Sequence, residues 1–263
     1  KENNMSEEKK NELEKKSSQE IGASTLGLSS ADMQQMYGDM GQEDVTIPRI
    51  VILQGLSPEV TEGKGTPGQF YVKGFERNLG KGPVELIVIM RSKSRIRWRD
   101  LKLGGGILCQ SPDAKIGQGD PGGECEKCQF SAWVGQDGKP GCDLYQNVIV
   151  VLRTDEDWIP MALSGNRTKL KPIKNLNSLL MLEMTKGRPL FSKSYNLESM
   201  MRQNTQGLQY FTYRISPANG NAVLPLEEQK KAANLFASIK GRKLNIVEDN
   251  QEEHPTVEPS KDF

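Results

Sequence analysis

Four cysteines, Cys109, Cys125, Cys128 and Cys142, fall within 34 consecutive residues, and the rest of the 263-residue chain contains none. Their spacing is C-x15-C-x2-C-x13-C. A C-x2-C pair presents two thiolates from one tight turn, and two further cysteines complete a tetrahedron around Zn2+. The segment over residues 104–143 is rich in glycine (Gly104–Gly106, Gly117, Gly119, Gly122, Gly123, Gly135, Gly138 and Gly141). Such a stretch holds too little apolar material to fold by burial, so metal binding would supply its folding free energy. The expectation is one structural Zn2+ on Cys109, Cys125, Cys128 and Cys142, with no position left open for catalytic water. Four unrelated buried thiols and an iron–sulfur cluster are the alternatives. A disulfide scaffold would spread its bridges and travel with an export signal. The first 20 residues are mostly charged, without an apolar run, so the expected compartment is the reducing cytoplasm.

The single histidine, His254, lies in a polar C-terminal stretch. The body therefore has no Ser-His-Asp or Cys-His machinery, and it lacks the H-x-E element of zinc deaminases. Residues 135–139 lack the spacing of a phosphate-binding loop. No run reaches 18 consecutive apolar residues, so no membrane partner is expected. Overall charge is near balance, with 35 Lys+Arg against 34 Asp+Glu, but it is segregated. Residues 247–263 carry six acidic groups against Lys261, and residues 1–20 are slightly acidic, which leaves a basic body. A basic body suggests a polyanionic partner, and an acidic tail suggests an interaction segment.

Three parts are expected: an arm over 1–43, a folded domain over 44–246, and a disordered acidic tail over 247–263. In the arm, a short helix capped by Ser30 fits 30–40. Val45–Gln54, interrupted by Pro48, and Phe70–Val72 read as strands. The longest strand-like stretch is Val84–Trp98, followed after the cysteine segment by a hairpin of 145–152 and 158–163. Leu170, Ile173, Leu176, Leu180 and Met184 recur at helical spacing, with Pro172 tolerated in the first turn. Two strands over 190–197 and 208–215 follow, then a helix over 226–239 opened by Pro225. The fold class expected is mainly β (α+β). Its expected form is a five-stranded barrel of the oligonucleotide-binding (OB) type, with a zinc-loop insertion and a C-terminal helix.

Within the long strand, Arg91, Lys93, Arg95, Arg97 and Arg99 alternate and so share one face. Their spacing of about 6.6 Å suits the phosphates of an extended single strand. The competing reading is a charge-protected sheet edge. A second basic run, Arg167, Lys169, Lys171 and Lys174, opens the helix, where the helix dipole favours anions. Tyr195 and Tyr210, the latter sharing a face with Arg214, are the candidates for base stacking. Phe211, Tyr213 and Ile215 face the opposite way, toward a core.

Taken together, the chain resembles bacteriophage single-stranded DNA-binding proteins. The resemblance rests on the basic strand-rich body, the cysteine loop and an acidic tail ending in Phe263. The run Cys109, Ser111, Asp113, Gly117, Gly122, Gly123, Cys125, Cys128 and Trp133 is also similar to one in tailed-phage proteins, and the T4-type helix-destabilising protein combines a barrel, zinc and an acidic tail. The resemblance implies a non-catalytic, sequence-independent binder of single-stranded DNA that acts in phage replication, recombination or repair. It also implies that Asp262 and Phe263 dock onto replication or recombination proteins. A metal-dependent nuclease or other DNA-processing enzyme drawing on Asp100, Asp113, Asp120 or Glu124 is the alternative, and a zinc-ribbon adaptor for host polymerase is another.

Overall fold

In the computed structural model, the residues described are 29–37, 45–100, 103–132, 140–166, 169–204, 206–242 and 244–246. The chain divides into units 1–44 and 45–263. In the first, α1 spans Ser30–Tyr37. Its cap is Ser29 rather than Ser30: the Asp32 N–H donates to Ser29 Oγ at 3.1 Å and Ser29 N–H donates to Asp32 Oδ2 at 2.8 Å. This reciprocal arrangement satisfies an orphan donor at the helix start.

The second unit opens with β1 (Thr46–Ile47) and β2 (Arg49–Ile52), split at Pro48 as expected. A single turn, α2 (Pro58–Thr61), precedes β3 (Phe70–Lys73) and β4 (Arg77–Gly80). The fifteen-residue β5 (Val84–Trp98) leads into the cysteine segment, which forms β6 (Ile107–Ser111), β7 (Ile116–Gly119) and β8 (Gly123–Glu124). Then come β9 (Asp143–Leu152), β10 (Met161–Gly165) and helix α3 (Leu170–Thr185). The hairpin β11 (Ser194–Gln203) and β12 (Gln209–Pro217) is followed by α4 (Leu226–Ile239) and β13 (Asn245–Ile246), which pairs in parallel with β1.

Eleven strands form one mixed sheet, ordered β4-β3-β2-β10-β9-β5-β6-β7-β8, with β11 joined to β5 and β12 to β11. The protein is thus mainly β, with the expected order of strand, hairpin, helix and two strands. It differs from a closed five-stranded barrel in its ladders. Among the described residues β12 pairs only with β11, and the outer edge of β10 is taken by β2 in parallel. A side chain spans the gap between β2 and β12. The Gln54 amide donates to the Phe211 carbonyl at 2.8 Å and accepts from the Phe211 N–H at 2.9 Å, imitating a strand pair.

β5, β9 and β10 are apolar on both faces, which is why Leu86–Met90 and Val148–Leu152 read as continuous runs. One face carries Leu86, Val88, Val148, Val150, Leu152 and Leu163 against Ile173, Leu176 and Leu180 of α3. Tyr213 and Ile215, with half-buried Phe211, complete that core, as their alternation implied. The other face carries Ile87, Ile89, Ile149, Val151 and Ala162 against Ala232 and Ile239 of α4. Met184, placed on the apolar stripe by spacing alone, is instead 58% exposed, and Glu183 takes the buried position in that turn.

Buried Glu183 near the end of α3 gathers Lys193 at 3.0 Å, Lys186 at 3.1 Å and Arg188 at 3.1 Å. Hydrogen bonds from Lys193 hold its carboxyl down at about 2, against a smaller opposing effect of burial. A carboxyl depressed in the folded state stabilises the fold fully above its unfolded value and loses that contribution as pH falls through the folded one. Glu183→Gln should therefore lower the urea midpoint at pH 7, with the gap from wild type closing between about pH 4.5 and pH 2. A gap independent of pH would show that charge at Glu183 contributes nothing.

Candidate metal centre and nucleic-acid face

β5 runs on past its pairing with β11 and carries the cysteine loop on its far end. Arg95–Trp98 pair with β6 on one side, while Arg95 and Ile96 also pair with β9 on the other. This ladder sets Cys109 opposite Arg97 and Cys142 just before β9. Cys125 follows β8, its N–H donating to the Lys115 carbonyl at 2.8 Å. The C-x2-C turn closes through Cys128 N–H to the Cys125 carbonyl at 3.3 Å, and Cys142 N–H donates to the Phe130 carbonyl at 2.9 Å. The four cysteines so positioned line one small cavity of about 10 Å³, room for a single ion or water-sized occupant.

All four are free thiols; Cys109, Cys125 and Cys142 are buried and Cys128 is half-buried. Burial pushes the Cys142 thiol up, against a lowering by the Arg95 guanidinium, which hydrogen-bonds it. Four soft donors around one cavity fit zinc in kind and number. The thiols are not drawn to a common centre, however: among the described residues no group of three or more His, Cys, Asp or Glu side chains has the geometry to hold a metal. The contact at Gly117 is part of the cavity wall, because a Cβ there would stand 2.8 Å from Cys109 Sγ.

The basic strand divides into two pairs and an end residue. A register shift between Val88 and Met90 makes Ile89 an extra residue. Arg91 consequently lies opposite Val148, on the α3 side of the sheet, and the basic stripe continues the face of Leu86 and Val88. Arg91 and Lys93 are exposed, although partial burial still lowers the Arg91 guanidinium from its ordinary value. Arg95 and Arg97 are half-buried and line the cysteine cavity. The Arg97 guanidinium lies 3.6 Å above the centre of the Phe130 ring and donates to the Asp120 carbonyl at 3.0 Å. Arg99 is exposed beyond the end of β5.

The fold brings the second basic run close to Arg91 and Lys93. Lys93, Gln146 and Gly165 are consecutive cross-strand neighbours on β5, β9 and β10, spanning about 10 Å. The start of α3 rests directly on Gly165, where a Cβ would stand 2.7 Å from the Lys169 carbonyl and 2.6 Å from Ile173. Asn177 of α3 donates to Gln146 at 2.9 Å. Lys171 and Lys174 are exposed on α3, and Lys174 sits one turn before Asn177. Arg167 lies outside the described residues, as do Trp133, Asp262, Phe263, His254 and the whole acidic tail.

The aromatic candidates do not join this face. Tyr195 is 2% exposed within the α3-side core, and burial pushes its hydroxyl up to about 12. A ring so enclosed offers no face to a base, which corrects its assignment as a stacking residue; alternation along β11 does not distinguish an outward position from one beneath α3. Tyr210 is half-buried opposite Arg202, and Arg214 is paired with Glu198. Both belong to the part of the β11–β12 hairpin that runs past Val84. That end of β5 is seven residues from Arg91, about 23 Å. Arg202, absent from the sequence candidates, accompanies them there. The carboxylates considered for a nuclease serve local roles. Asp113 accepts from Ser111, Lys115 and Ile116, Asp120 faces Arg97, and Glu124 pairs with Lys127.

The class defined by these features is a mainly β protein with a cysteine-lined loop at the end of a basic strand. The chain belongs to the Pam3 phage gp34-like protein family, whose model matches residues 18–245. No curated protein and no solved structure matches it. Among the described residues no helix is long and apolar enough to cross a membrane.

The packing of Gly117 on Cys109 has a direct test. Under native, chelating conditions, alkylation mapped by mass spectrometry should label half-buried Cys128 first and Cys109 slowly. Gly117→Ala must displace the Cys109 thiol and should accelerate its labelling selectively. Equal Cys109 rates in the two proteins would refute the packing.

Proposed function

We propose that this protein is a non-catalytic, sequence-independent single-stranded DNA-binding protein of phage DNA metabolism, with one structural zinc. The observation that carries the reading is the convergence of two basic runs, Arg91 and Lys93 with the exposed Lys171 and Lys174, on one side of the β5–β9–β10 surface. Segments far apart in sequence supply like charges to a single face, an arrangement that is unfavourable without a polyanion to neutralise it.

The strand order supports an OB-like reading of the sheet. β5, β9, β10, β11 and β12 follow that order, α3 falls between the third and fourth, and β5 pairs with both β9 and β11. In this reading β2 and Gln54 take the place of the closing ladder. OB folds bind oligonucleotides over strands two and three and the loop between strands one and two. These correspond to β9, β10 and the cysteine segment. Zn2+ on Cys109, Cys125, Cys128 and Cys142 would hold that loop against β5 and supply the free energy that its glycines cost. With aromatic groups remote from the basic face, backbone phosphates carry the affinity, and base stacking contributes less than the sequence suggests. The acidic tail, through Asp262 and Phe263, is proposed to dock replication or recombination proteins.

The test is a salt series with single-stranded, duplex and RNA oligonucleotides, alongside elemental analysis. Wild type should bind single strands with strong salt dependence and carry one zinc per chain. R91A/K93A should weaken binding to all sequences alike and reduce the salt slope by about 0.7 for each phosphate that is no longer neutralised. Salt-independent or absent binding would defeat the DNA reading, and a purified chain without zinc would defeat the metal reading.

A further inference from the structure

Arg95 and Arg97 belong to the same alternating series as Arg91 and Lys93, yet their surroundings differ. Both line the cavity that the four cysteines share. Arg95 hydrogen-bonds the Cys142 thiol. Arg97 sits opposite Cys109 across the β5–β6 ladder and is covered by the Phe130 ring. The loop grips it from a second side through the Asp120 carbonyl at 3.0 Å, with the Asp120 carboxylate at 3.5 Å. To reach a phosphate, Arg97 would have to leave an aromatic face and a hydrogen bond. Its side chain is already only 20% exposed.

Charge arithmetic gives these arginines another role. Four thiolates around one Zn2+ leave a net charge of about −2, because each ligand must be deprotonated to bind. Three of the four cysteines are buried, and a buried net charge is costly unless it is paired and hydrogen-bonded. Two guanidiniums at the cavity wall match that deficit. The Asp120 carboxylate is the opposing charge beside Arg97, but it is 76% exposed and so largely screened by solvent. Resting on the zinc reading above, we infer that Arg95 and Arg97 are positioning residues for the four-cysteine centre, neutralising and orienting its thiolates, and do not bind DNA. The alternating basic strand then serves two purposes: its outer pair meets the polyanion and its inner pair holds the metal loop.

The full chain tests this through zinc affinity, read by chelator competition, with Co2+ charge-transfer spectra as a signature of the thiolate set. R95Q/R97Q should bind zinc about 10–100-fold more weakly, the usual effect of removing a group that supports a metal ligand. R95K/R97K, which keeps the charge, should hold zinc much closer to the wild-type affinity. At saturating zinc, R95Q/R97Q should keep the wild-type salt slope on oligo-dT, whereas R91Q/K93Q should lower that slope and leave zinc affinity unchanged. The inference is overturned if R95Q/R97Q retains full zinc affinity, or if R95K/R97K loses zinc as severely as the glutamine variant. It is also overturned if the slope of zinc-saturated R95Q/R97Q falls by about 0.7 per arginine. If the glutamine variant does not fold, the lysine variant decides alone: a folded R95K/R97K without zinc affinity overturns the charge role. A wild-type chain that takes up neither zinc nor cobalt removes the metal reading itself, a result distinct from all of these.

Discussion

Everything in the larger unit is built on β5, because one strand has to satisfy three neighbours in two environments. Its first half pairs with β9 on one side and β11 on the other. Its second half keeps β9 but exchanges β11 for β6. The exchange lets one continuous strand serve both a two-faced apolar core and a polar, glycine-rich loop. Fifteen residues at about 3.3 Å each reach roughly 50 Å, enough for both tasks. The extra residue at Ile89 sits at the transition. It keeps Ile87, Ile89 and Met90 on the α4 side while turning Arg91 and Lys93 toward α3.

Around this strand, half-buried and buried charges tie the helices to the sheet. Arg153, just after the end of β9, donates to Glu85 of β5 at 2.8 Å and to Glu228 of α4 at 2.8 Å. Glu85 also accepts from Ser194 at the start of β11 and from Asn219. Together these bonds hold the Glu85 carboxyl below its ordinary value, although burial, the largest single effect, pushes the other way. The Lys193–Glu183 pair links α3 to the approach of β11 in the same way. Removing one partner from such a pair leaves an uncompensated charge, so these residues fix the helix positions even where their net contribution to stability is small.

The cysteine segment illustrates how a loop without a core is held. Its own large apolar groups Leu103, Ile107 and Ile116 remain exposed, so burial contributes little. Order comes instead from three short ladders, the backbone bonds around Cys125, Cys128 and Cys142, and the clamp of Arg97 between Phe130 and Asp120. The clamp joins the loop to β5 through side chains drawn from the same alternating series that faces solvent a few residues earlier. One stripe of charge is thereby divided by its neighbours into an open half and an enclosed half.

Much of this was legible from residue order. Helix α4 occupies the 226–239 segment that Pro225 opens, α3 follows the spacing of Ile173, Leu176 and Leu180, and β5, β9 and β12 fall on the apolar runs, whereas β11 runs over Ser194–Gln203 rather than 190–197 because Leu190–Ser192 form a 3-10 turn. These features are local: periodicity and proline geometry act within one element. The clustering of the four cysteines likewise anticipated that they line one cavity, whose wall Arg95 and Arg97 of β5 complete. Periodicity could not say which face of an element meets a core. Tyr195 looks exposed by pattern and is buried in the α3-side core, and Lys193 beside it is buried as well, bonded to Glu183 of α3 and to Asn221. Nor could sequence place β2 on β10, bring the start of α3 to Lys93, or carry Tyr210 and Arg214 to the opposite end of β5. Those outcomes depend on pairing between segments some tens of residues or more apart. Such pairing is chosen by the packing of the whole sheet, and no residue taken with its near neighbours encodes it.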